Sequence, residues 1–366
     1  MKKSIFFIAT LSIIFNAYGE NQNQQQTAGN VTAPKNIVAS FYPIAFMAEK
    51  IVGGNAKVTN LSGSVDVHAY QLSPQDLVKL NKADLVVFQG AKLEPWTDSV
   101  IPELKEKGIM TLEVSEHLKL TKFEENHDDH KEHHDDHKSH EGEHKDKHHD
   151  GHAGHHDSQD HHKDEHAHAK HEKKHDAHTG DSHDKHNHDE HNHGEYDPHT
   201  WLDPILAQNM VDEILEAIIK IDAKNEAVYR ANAIALKDSF SKLDKAYQTG
   251  LSNCVNQEMI ISHDAYGYLA NRYGFEFHAI AGLSPKDVPS AKILSELSKQ
   301  AKHGITHVLI EENKVRRFAD TLASETGLKT LSINPLGRGT LDPKKDFIDV
   351  MYDNLNSFKE ALSCKS

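Results

Sequence analysis

Three histidines stand in short polar stretches from which they could converge on one ion. His68 lies in Asp66-Val67-His68-Ala69-Tyr70-Gln71-Leu72-Ser73-Pro74, and His199 in Asp197-Pro198-His199-Thr200-Trp201-Leu202-Asp203-Pro204. His263 lies in Ser262-His263-Asp264-Ala265-Tyr266-Gly267-Tyr268. Each follows an apolar run or precedes a helix start, where open α/β sheets place their ligands. Any one of them alone reads equally well as a surface or capping histidine. Three at equivalent places around one cleft suit a borderline-soft dication, Zn²⁺, held tetrahedrally with one position open. The same set describes a catalytic zinc centre, so a metal-dependent hydrolase is the rival class, although the sequence offers it no general base and no pocket signature. His117, His278, His303 and His307 have no matching partners and read as structural or solvated. Trp201 and Tyr266 read as packing residues, and Asp203-Pro204 as the start of a helix.

A second histidine population is denser. Of 31 histidines in the 366 residues, 24 lie between His127 and His193, together with 19 Asp/Glu and 9 Lys, and four alanines are the only apolar residues there. Such a stretch cannot form a core, and residues 124–195 are expected to be a disordered loop. Its repeats set imidazoles beside carboxylates: His127-Asp128-Asp129-His130, then His133-His134-Asp135-Asp136-His137, and near the end His186-Asn187-His188 and His191-Asn192-His193. Flexible ligands of this kind bind Zn²⁺, Ni²⁺, Cu²⁺ or Co²⁺ at several weak, poorly selective sites, because ordering is paid for on binding. A solvated spacer is the plainer alternative. Metal needs neutral imidazole, so acid should empty both kinds of site, the loop first.

The elements that must position the three histidines alternate strand and helix. Apolar runs at Asn36–Phe41, Lys57–Leu61, Asp84–Phe88 and Thr111–Val114 predict four strands, with a helix from Pro43 to Ile51 and another opened by Ser73-Pro74-Gln75-Asp76. After the His-rich stretch come a helix from Pro204 to Ile219 and a long helical pattern at 223–251, about 40 Å of rigid connector. The alternation then restarts: strands at 259–261, 275–280, 307–310 and 330–333, helices near 266–273, 290–301, 316–326 and 347–362. The fold class is therefore α/β: two similar lobes, each a parallel sheet flanked by helices, spanning 36–222 and 252–366, with a cleft between them.

Composition closes off other classes. The net charge of −15 and the lack of any basic run disfavour a nucleic-acid partner. Lys2-Lys3, the apolar run Ile5–Phe15 and Ala17-Tyr18-Gly19 read as a signal peptide, residues 1–19, too short for a membrane span. No cysteine stands at the cleavage site, so the mature chain is expected to be soluble outside the cytoplasm. Two cysteines in an exported chain invite one disulfide, Cys254 to Cys364, with free buried thiols as the alternative.

Several blocks together resemble a known family. They are His68 with its downstream Ser-Pro-Gln-Asp, the His199-Thr-Trp-Leu-Asp-Pro block, His263-Asp-Ala-Tyr-Gly, Asn334-Pro-Leu-Gly, and an acidic His-rich insert just before the second histidine. The chain is similar over nearly its whole length to the cluster A-I solute-binding proteins of zinc and manganese ABC transporters, and within them to the ZnuA type. The resemblance implies a periplasmic, non-enzymatic receptor, acting as a monomer, that takes Zn²⁺ at His68, His199 and His263. It would deliver the ion to an inner-membrane permease driven by an ATPase partner, with the insert as a low-affinity collector. Manganese members carry Glu at the position of His263, so histidine there implies zinc. Relatives have Asp where this chain has Asn334, and some have Glu where it has Val67. The fourth position is therefore expected to fall to solvent, with Asp66 swinging in or a weak Asn334 contact as alternatives. Glu311 and Asp264 are expected to orient a ring or balance charge. A general metal buffer is the remaining alternative.

Overall fold

A computed structural model describes residues 33–122, 195–312, 315–340 and 342–365. The expected signal peptide and the nine loop histidines named above lie outside the described residues.

The first lobe contains strands β1 (Asn36–Ala39), β2 (Lys57–Asn60), β3 (Leu85–Phe88) and β4 (Met110–Glu113), all parallel, in the order β2-β1-β3-β4. The second contains β5 (Glu258–His263), β6 (Glu276–Ala281), β7 (His307–Ile310) and β8 (Lys329–Ser332), also parallel, in the order β6-β5-β7-β8. The two orders are equivalent. In each, the chain reverses its direction of travel beside the first strand, and the crevice at that point faces the carboxyl ends of the strands.

Helices α1 (Tyr42–Val52), α2 (Pro74–Leu80) and α3 (Thr97–Glu106) belong to the first lobe, and α4 (Pro204–Ile221) and α5 (Glu226–Gly250) follow. In the second lobe lie α6 (Gly267–Tyr273), α7 (Ala291–Gln300), α8 (Arg316–Thr326) and α9 (Phe347–Ala361). Helix α3 is absent from the sequence reading because Pro102 lies within it. The long pattern at 223–251 divides: Ala223–Asn225 forms a 3₁₀ turn and α5 carries the rest.

The central strands of each sheet are buried on both faces, yet the faces go to different places. Ile37 and Ala39, Leu85 and Val87, Met259 and Ile261, and Leu309 all point into one continuous core, while Val38, Val86 and Phe88 face α2 and α3, and Ile260, Val308 and Ile310 face α7 and α8. The shared core is filled by α1, α4, α5 and α9. Phe347 stacks on Phe46 at 5.3 Å and meets Phe240 edge-on at 5.6 Å. Tyr247 on α5 donates its hydroxyl to the Met351 carbonyl at 2.8 Å. The lobes therefore share one apolar interior, which favours small relative movement over wide hinging.

The expected disulfide is present. Cys254–Cys364 joins positions 110 residues apart and pins the end of α9 beside the chain leaving α5. A loop of that length corresponds to about 4–5 kcal/mol in the chain-entropy account.

Candidate metal centre

Each of the three histidines is presented by a device that its local sequence dictates. Asp66 caps a single 3₁₀ turn, Val67–Ala69, by accepting the His68 backbone N–H at 3.0 Å on Oδ1. Downstream, Ser73 and Asp76 form a capping box at the start of α2, and Asp76 Oδ2 also accepts from the buried Tyr70 hydroxyl at 2.7 Å. The peptide carrying His68 is thus anchored at both ends.

Asp197 repeats the first device. Its Oδ1 accepts the His199 backbone N–H at 2.9 Å and lies 2.7 Å from His199 Nδ1. A carboxylate there takes the Nδ1–H and leaves the Nε2 lone pair free to ligate. His263 is the last residue of β5. Its Nδ1 lies 3.2 Å from Glu311 Oε1 and its Nε2 2.9 Å from the Leu283 carbonyl.

From these three origins the imidazoles meet. One ligating atom from each of His68, His199 and His263 lies within 4.8 Å of the others, and the ring centroids are 5.0–5.4 Å apart. His68 Nε2 and His199 Nε2 are already 3.2 Å apart, close to the ~3.3 Å separation of two nitrogens on a tetrahedral Zn²⁺. His199 and His263 are fully buried, and His68 is half-buried and forms the open side.

The surroundings set the charge. Burial, with the His263 charge adding to it, drives His199 well below the ordinary imidazole range. Burial also works against charge on His263, but the Glu311 carboxylate outweighs it, helped by the Leu283 carbonyl and Asp66, and His263 stands at about 9. Desolvation lifts Asp197 to about 7 and Asp264 to about 6, the latter also pushed up by Asp197.

The other expected site residues divide. Glu311 lies against the His263 ring, and Asp66 is near enough to act on His263 electrostatically. Asp264 feels both Asp197 and His263. Asn334 is occupied elsewhere: its Oδ1 accepts Leu336 N–H at 2.8 Å and its Nδ2 donates to the Gly339 carbonyl at 3.1 Å. These bonds hold the turn at Leu336, whose φ is 64°. That turn braces the site from the second lobe. Its Gly337 carbonyl accepts Val67 N–H at 3.1 Å and its Pro335 carbonyl accepts Trp201 Nε1–H at 2.8 Å. Trp201 is a packing residue, as read, set edge-on to Phe41 at 4.8 Å.

Asp197 was not singled out from the sequence. The Asp-x-His spacing it shares with Asp66 is the signal that marks it.

Residues 37–361 match the family model described as "Zinc-uptake complex component A periplasmic", ZnuA. The chain belongs to the ZnuA family. Among ZnuA relatives, the high-affinity zinc uptake system protein ZnuA of Bacillus subtilis is 30% identical over 367 residues, covering 99% of this chain and 98% of the relative. The zinc-binding lipoprotein AdcA of Streptococcus pneumoniae is also 30% identical over 367 residues; this chain spans 61% of its length. The fold matches the crystal structure of the Zn(II)-bound ZnuA-like domain of that streptococcal protein, with a TM-score of 0.63 and 26% identity, over 90% of this chain and 99% of the other.

Proposed function

We propose that this chain is an exported zinc receptor that captures Zn²⁺ between its lobes and hands it to an ABC-type permease. The observation that carries the reading is the meeting of His68, His199 and His263, two from the first lobe and one from the second, on a scale that one tetrahedral ion fits. Membership of the ZnuA family and the zinc named for its relatives point the same way. Asp197 is turned to Nδ1 of His199, an arrangement that holds the ring in place with Nε2 toward His68. Ligands drawn from both lobes make zinc occupancy and lobe approach mutually dependent, so docking that separates the lobes favours release. The fourth position falls to solvent, with Asp66 swinging in as the alternative.

Chelator-competition titration tests this. The chain with residues 127–193 excised is expected to keep one tight zinc equivalent and to lose it on His68→Ala or His263→Ala. Retention of the tight site in either variant, or zinc-dependent turnover of a test ester, would contradict the reading.

A further inference from the structure

The segment carrying His199 is gripped on both sides by one short helix of the opposite lobe. Helix α6 starts four residues after His263, so it moves with the second-lobe histidine. Gly267 lies directly under the Asp197 carboxylate: a Cβ there would meet Asp197 Oδ2 at 3.0 Å, and glycine lets the two approach. The next residue, Tyr268, is buried, and its hydroxyl donates to the Asp197 carbonyl at 2.7 Å while accepting the Thr121 N–H at 3.0 Å. On the far side of His199, Arg272 Nε donates to Oδ2 of the buried Asp203 at 2.5 Å, while Asp203 Oδ1 caps α4 by accepting from Ile205 and Leu206.

Thr121-Lys122 and Tyr196-Asp197 are the two segments between which the His-rich stretch is inserted. Asp197 N–H donates to the Thr121 carbonyl at 3.0 Å, and Lys122 and Tyr196 form an isolated antiparallel bridge. One hydroxyl from the second lobe therefore holds both segments of this neck, two residues from a first-lobe histidine.

We propose that Tyr268 and Arg272 are positioning residues for zinc retention. Acting through Asp197 and Asp203, they hold His199 at a fixed distance from His263, and Tyr268 ties the neck of the insert to the same point. Neither side chain ligates the ion. Their effect is on how long zinc stays, and it rests on His199 being a ligand.

The test uses the full chain loaded with one zinc equivalent, comparing wild type, Tyr268→Phe and Arg272→Gln. Release to excess chelator is expected to quicken at least tenfold in both variants. The zinc-induced rise in Tm, taken against each variant's own apo Tm, should shrink in both, which separates lost zinc retention from the stability lost with the missing bond. Amide exchange at Thr121 should quicken in Tyr268→Phe and not in Arg272→Gln. Should Tyr268→Phe fail to fold, release from Arg272→Gln still decides. Release within twofold of wild type in the folded variants overturns the inference and leaves the receptor reading standing. A wild-type chain with no tight zinc equivalent overturns both.

Discussion

An aspartate two residues ahead of a histidine serves twice in this chain, and the two uses differ in what they buy chemically. Asp66 accepts the backbone N–H of His68, whereas Asp197 meets both the backbone N–H and ring Nδ1 of His199. Loss of an outer partner of this kind costs about 10–100-fold in metal affinity. Asp197→Asn is expected to weaken zinc binding by that factor while leaving stoichiometry at one, which competition against a chromophoric chelator would report. At this scale the histidines were legible only as a set, since each alone reads as a surface or capping residue and it is the three together that meet. The spacing that exposes Asp197 was also there to be read. Tyr268 was not, since it acts on residues 71 and 147 positions away and nothing local marks it. Asn334, read as a weak alternative to solvent at the fourth position, has its amide engaged in closing the turn at Leu336.

Among the elements, helix α2 shows how a cap anchors the segment that follows His68. Burial alone would raise the Asp76 carboxyl, but bonds from Lys79, Ser73 and Tyr70 outweigh it and hold it well below the ordinary carboxylate range. A depressed carboxylate contributes stability above its unfolded value of about 3.9 and loses it as pH falls through the folded value. Asp76→Ala is therefore expected to cost about 1–2 kcal/mol at pH 7 in denaturant unfolding, with the gap to wild type closing in strong acid. A gap that stayed constant down to pH 2 would assign the effect to packing instead. Strands and most helices were legible from apolar runs and from the Ser-Pro and Asp-Pro starts. Helix α3 was hidden by Pro102, and the start of α5 slipped by three residues because Ala223–Asn225 forms a tighter turn with the same pattern.

Across the whole molecule, the equivalent sheet orders place one topological crevice in each lobe, and one apolar core runs through both lobes. Phe347, Phe46 and Phe240 bind the lobes where separate domains would have a thin hinge. The disulfide closes the same region from the other end. Two α/β lobes could be read from the alternation of elements, but their common interior could not, because both faces of every central strand are apolar and the sequence does not say which neighbour each face meets. This rigidity suits the proposed receptor, which would hold one ion by ligands from both lobes and give it up on a small displacement. The most direct test is a crystal structure of the zinc-loaded chain with anomalous data at the zinc edge. One strong peak is expected at about 2.0–2.1 Å from a nitrogen of each of His68, His199 and His263. A peak that leaves any of the three unbound, or zinc held only elsewhere on the chain, would contradict the assignment.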